Sequence, residues 1–124
     1  MPDALIQHPF MSQSGLAASR DEDFVRAMLA FELALAETQE AEGAIPADVS
    51  RRMRACLESH DFDPSAIAEG VASGGNAAIP FVKAGRAALP DDLKPYWHLG
   101  ATSQDVVDSA LMILLMPRLE RLDA

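Results

Sequence analysis

Between Trp97 and Val106 the chain changes character. The turn His98-Leu99-Gly100 leads into Thr102-Ser103-Gln104-Asp105, after which Val106, Val107, Ala110, Leu111 and Leu114 follow at helical spacing. Thr and Ser are good N-cap residues, and Asp105 stands three places after Thr102, as in a capping box. The spacing predicts a helix that starts at Thr102 or Ser103. Leu111-Met112-Ile113-Leu114-Leu115-Met116 is apolar on every side, so one core face cannot cover it and the helix needs neighbours all round. That requirement points to helices packed on helices, with association through the uncovered faces. Pro117 should kink this helix or cost it about 3 kcal/mol. With Leu119 and Leu122 still in period near Ala124 and no C′ glycine, the natural helix is expected to continue.

The rest of the sequence agrees with an all-α class. Hydrophobic residues make up 49% of 124 positions, enough for one core, and they are mainly Ala and Leu with few aromatic or β-branched residues. A formal net charge of −9 argues against nucleic-acid binding, since no Lys/Arg cluster is available to neutralise a phosphate backbone. An anionic small-molecule ligand would need local donors against that field. The single cysteine, Cys56, excludes an intrachain disulfide framework and a CxxC motif, which fits a reducing compartment. No secretory leader or membrane-length apolar stretch is apparent, so a cytoplasmic location and no membrane partner are expected.

Residues 1–19 contain Pro2, Pro9, Gly15 and several serines without a sustained period, and read as an arm. Phe24, Val25, Met28, Leu29, Phe31, Leu35 and Ala36 then define a helix from Asp21 to about Glu42, with Gly43 at the left-handed C′ position and Pro46 beyond. A second helix is expected over Ala47–Ser59, with Arg51, Arg52 and Arg54 on a solvated face. A short helix is expected from Ser65 to about Ala72, a fourth over Ile79–Leu89, and a helical turn over Leu93–Trp97. Gly70, Gly74 and Gly75 follow no strand and precede no Gly-Lys-Ser/Thr, so they read as loop and cap rather than as a phosphate loop.

Several side chains could carry chemistry. The first N–H groups of the helix at Thr102/Ser103 lack intrahelical partners and carry about half a positive charge, so with two hydroxyls beside them they could cradle an anion. The same hydroxyls could simply cap the helix. His98 could hydrogen-bond such a ligand or move a proton, or it could hold its own loop. Asp105 would stabilise the same helix dipole, so it must point into a bond that fixes the loop, as Asp108 could. Asn76 could donate to a ligand or close the turn before Pro80. Lys83 and Arg86 are candidates for carboxylate recognition or for plain solvation. Glu32, with apolar residues one turn away on either side, suggests an ion pair or hydrogen bond to another element, with a raised pKa and a catalytic role as the rival. His8 and His60 have no motif around them, and a metal site is not expected.

The segment HLGATSQDVVDSA, residues 98–110, resembles the first signature region of the fumarase/aspartase superfamily. GNAAIPFVK, residues 75–83, is similar to the second N-terminal block of the 3-carboxy-cis,cis-muconate cycloisomerase branch. MLAFELALA, residues 28–36, followed by Gly43-Ala44-Ile45-Pro46, is similar to that branch's opening helix and turn. The blocks come in the branch's order, and the His-Asp pair that adenylosuccinate lyases carry near the second block is absent here.

The resemblance implies the N-terminal helical domain of an L-aspartase-like fold: an arm over 1–19, a helical domain over 20–124, and a last helix, about 103–124, that starts a central bundle. It further implies that the superfamily's GSSxMPxKxNP loop, with its catalytic serine, lies outside these residues, so the chain alone should be inactive. By the same likeness, His98, Thr102 and Ser103 would bind a small anionic polycarboxylate, with Asp105 and Asn76 supporting them. No cofactor is implied, and the oligomer would be a homotetramer with sites shared between subunits. The activity implied is the reversible lactonisation of a muconate in protocatechuate breakdown. The alternatives are an adenylosuccinate or argininosuccinate lyase relative and a non-enzymatic helical assembly fragment.

Overall fold

The computed structural model describes residues 20–123, and the predicted arm over 1–19 lies outside them. The elements in order are α1 (Asp21–Ala41), α2 (Val49–Leu57), α3 (Pro64–Gly74), α4 (Ala78–Ala88), a 3-10 turn (Lys94–Tyr96) and α5 (Ser103–Asp123). There is no strand among the described residues. The helix boundaries fall within two residues of the spacing-based expectation at most ends. Acidic Asp21, Glu22 and Asp23 open α1, where the helix dipole favours them. Gly43 follows its end at φ 74°, a left-handed conformation that costs glycine nothing.

The long helices α1 and α5 lie against each other. α2 packs on α1, α3 pairs with α4, and α4 also meets α2 and α5. Met28, Met53, Leu57, Phe81, Leu93, Trp97 and Val106 are buried together where these elements converge. Phe81 stacks at a tilt between Phe62 and Trp97, with ring centroids 5.1 Å and 6.0 Å away. Trp97 donates its Nε1–H to the carbonyl of Val82 at 2.9 Å, so its one polar atom is satisfied inside the core.

Two glycines have a use that spacing did not suggest. A Cβ on Gly85 would sit 2.5 Å from Cζ2 of Trp97, and one on Gly70 would sit 2.6 Å from Cβ of Pro80. Gly70 is thus a close-approach point between α3 and α4, whereas Gly75, at φ 87°, is the expected cap. The arginine face of α2 also departs from plain solvation: Arg52 pairs with Asp92, and Arg54 with Glu37 of α1, tying α2 to its neighbours. α5 continues through Pro117, which removes one backbone donor without ending the helix.

Candidate functional site

Trp97 is the fixed point from which the turn before α5 departs. After it, His98 takes φ 58° and Gly100 φ 77°, so two left-handed residues within three positions swing the chain back to start α5. A left-handed backbone is unusual for a side chain other than Gly, Asn, Asp or His, and here it is held by contacts on both sides. On one side lies the helix start. Asp105 Oδ2 accepts from the Thr102 N–H at 2.8 Å and from the Thr102 hydroxyl at 3.0 Å, while the Asp105 N–H reaches Thr102 Oγ1 at 3.3 Å. This is a reciprocal capping box with Thr102 as N-cap. The bonds from Thr102 hold the Asp105 carboxyl below its usual range. Asp105 therefore points into the loop, and the Thr102 hydroxyl is engaged with it. Ser103, half-buried, and Gln104 contribute first-turn N–H groups that no intrahelical carbonyl can reach.

On the other side lies α1. Glu32, 1% exposed, hydrogen-bonds through Oε1 to Nδ1 of His98. Burial pushes the Glu32 carboxyl up, and the bond to His98 works against that rise. The second oxygen, Oε2, is buried without a partner among the described residues. Seven residues further along α1, Gln39 donates Nε2–H to the Leu99 carbonyl at 2.7 Å. Two side chains two turns apart on one helix thus grip the turn, one by the His98 ring and one by its backbone. Gln39 escaped sequence reasoning altogether. Its signal was its position seven residues after Glu32, on the same helical face.

The remaining candidates are dispersed. Asn76 Oδ1 accepts from the N–H groups of Ala78 at 3.0 Å and Ile79 at 3.3 Å, closing the turn that starts α4. Lys83 and Arg86 are exposed on α4. Asp108 accepts from the Gln104 side chain at 2.6 Å along the surface of α5. Two concavities on the described surface, one between α1 and α2 and one between α3 and α4, do not include His98, Thr102 or Ser103. With Thr102 and Gln104 exposed and Ser103 half-buried, the α5 start is an open rim, which would need further walls to enclose a small molecule. Among the described residues no group of three His, Cys, Asp or Glu side chains gathers as a metal cluster, and no helix is long and apolar enough to cross a membrane.

This all-helical fold matches that of the N-terminal domain of the lyase/aspartase-fold enzymes. The crystal structure of 3-carboxy-cis,cis-muconate lactonizing enzyme from Pseudomonas putida superposes with a TM-score of 0.84 and 31% identity, over 97% of this chain and 28% of that one. The sequence is 41% identical over 117 residues to the 3-carboxy-cis,cis-muconate cycloisomerase of Pseudomonas aeruginosa, matching 92% of this chain and 26% of that enzyme. It is 40% identical over 120 residues to the enzyme of the same name from Bradyrhizobium diazoefficiens, matching 94% of this chain and 27% of the relative. The relationship to 3-carboxy-cis,cis-muconate cycloisomerases thus holds over nearly the whole chain, which spans about a quarter of their length. No protein-family model matches the chain.

Proposed function

We propose that this chain is the N-terminal part of a 3-carboxy-cis,cis-muconate cycloisomerase and contributes one wall of its substrate site. The observation that carries the reading is identity near 40% along almost the entire chain to enzymes of that activity. In the reaction, one carboxylate of the muconate adds across a double bond, and a proton goes to the carbon next to another carboxylate. The intermediate carries extra negative charge, which preorganised donors stabilise most when they are aimed where the charge develops. The Ser103 hydroxyl, the first N–H groups of α5 and His98 are suited to that task, with Asp105 holding the turn behind them, while Asn76 holds the separate turn that starts α4. Thr102 contributes through the cap, since its hydroxyl is bonded to Asp105.

The open rim at His98 and Thr102 and the exposed apolar side chains of α5 support a site completed by other segments and other copies of the protein. The catalytic loop lies among those other segments, so the 124 residues alone are inactive, and the assembled enzyme is a homo-oligomer working without a cofactor. Its setting is the cytoplasm, in the breakdown of protocatechuate.

The test is an ultraviolet assay for loss of 3-carboxymuconate absorbance, comparing this chain with a form extended to the whole reading frame. Activity confined to the extended form supports the proposal. Activity in neither directs the assay to adenylosuccinate and argininosuccinate. In the active form, Ser103→Ala should lower turnover far more than thermal stability, and equal losses of both would reduce the α5 start to a plain cap.

A further inference from the structure

We propose that Glu32 is the positioning residue of His98: the buried carboxyl and the partly buried ring form a pair, neutral overall, that keeps a proton on Nε2 and presents that N–H beside the start of α5 as a donor to an anionic ligand. The ligand clause rests on the anion-site reading above, whereas the pairing rests on geometry and the proton on the burial of Glu32.

His98 Nδ1 is bonded to Glu32 Oε1, and the side chain is 19% exposed. In an imidazole the two nitrogens lie on opposite sides of the ring, so fixing Nδ1 inward leaves Nε2 as the outward nitrogen. The backbone that carries the ring is fixed as well. Its backbone sits in a left-handed turn, and Gln39 secures the next carbonyl at 2.7 Å. Glu32 from α1 is bonded to the ring, and Asp105, in the first turn of α5, is held mainly by Thr102 and lies near enough for charge on His98 to favour its carboxylate as well.

The number of protons on the pair decides what Nε2 can do. With two protons the pair is neutral, either as carboxylate and imidazolium or as carboxylic acid and imidazole. In both arrangements one proton lies between Oε1 and Nδ1 and the other is on Nε2. Removing one proton leaves a net negative pair with a bare Nε2, which could accept a hydrogen bond but could not donate one. That state buries an uncompensated charge on a carboxylate whose Oε2 has no partner among the described residues, with the Asp105 carboxylate nearby. Burial thus favours the neutral pair whichever partner holds the shared proton, and the consequence at Nε2 is the same. Glu32 touches no ligand in this arrangement. It acts through His98.

The experiment is nitrogen-15 NMR of the histidine rings in the purified chain at neutral pH, with exposed His60 as an internal reference. His98 should show a proton on Nε2 and a strongly downfield proton shared at Nδ1, unlike His60. In Glu32→Gln, which keeps size and hydrogen bonding but cannot carry the charge, the downfield proton should vanish. A bare Nε2 in the wild-type ring overturns the proposal without any variant. So does a ring spectrum unchanged in a folded Glu32→Gln protein. Titration of the form extended to the whole reading frame with citrate, a tricarboxylate probe, separates the two claims. A shift at Nε2 that is lost in Glu32→Gln supports the donor role, whereas no shift in a wild-type ring with the expected protons overturns the ligand clause and leaves the pairing standing.

Discussion

The two halves of α5 have nearly the same apolar content and opposite fates. In the first, Val106 and Ala110 are wholly buried against α1 and α4, and the helix start is bonded through Asp105, Thr102 and the His98 turn. In the second, Met116 is 56% exposed, Leu119 45% and Leu122 82%. Hydrophobicity therefore did not decide which half is buried; the presence of α1 and α4 did. The comparison teaches that the first half belongs to a finished core and the second to an unfinished one. Contiguous exposed apolar surface of that kind marks an interaction face.

The sharpest way to break this contrast is truncation in each region. Phe81→Ala should cost about 3–5 kcal/mol in chemical denaturation, since the fully buried ring leaves a cavity between Phe62 and Trp97. Met116→Ala should stay within about 0.5 kcal/mol. A comparable loss at Met116 would mean that the second half of α5 is covered in solution, and the contrast would fail. Gly85→Ala is next in size. Its new methyl meets the Trp97 ring, and overpacking of this kind typically costs about 1–3 kcal/mol, read as a lowered unfolding midpoint. Thr102→Ala removes the N-cap of α5 and should cost about 1 kcal/mol.

The smallest effects are electrostatic, and they sharpen the comparison by separating the two carboxylates that flank His98. Asp105 is held below its usual value, so its contribution is present above the ordinary aspartate range and fades as pH falls through the lowered value. The stability difference between wild type and Asp105→Asn should therefore shrink below about pH 4. Glu32 is raised by burial, so the sign reverses: its contribution is present below the ordinary glutamate range and is lost as pH rises through the raised value. Glu32→Gln should gain on wild type as pH increases, measured by denaturant titration at several pH values. Parallel slopes for the two variants would contradict the different environments of the two carboxylates.

Much of the architecture was legible before any coordinates. Local signals with local causes were reliable: Gly43 ending α1, Thr102 and Asp105 starting α5, and Asn76 closing the turn before α4 all act within a few residues of themselves. The preference of Glu32 for a bond to another element was also legible, because a lone acid in an apolar helical face must find a partner. The identity of that partner was not, since Glu32 and His98 are 66 residues apart and no spacing rule joins them. Gln39 and Leu99, 60 residues apart, are the same case.

The sequence by itself determined the helical class, the places where helices begin and end, and the likeness to cycloisomerases. Those follow from periodicity, caps and shared motifs, each contained in a short stretch of chain. Only the tertiary structure decided that α1 grips the His98 turn at two points, that Gly70 and Gly85 are contact points, and that half of α5 is left bare. These depend on which distant surfaces meet, and burial, which sets the environment of Glu32, exists only after they have met.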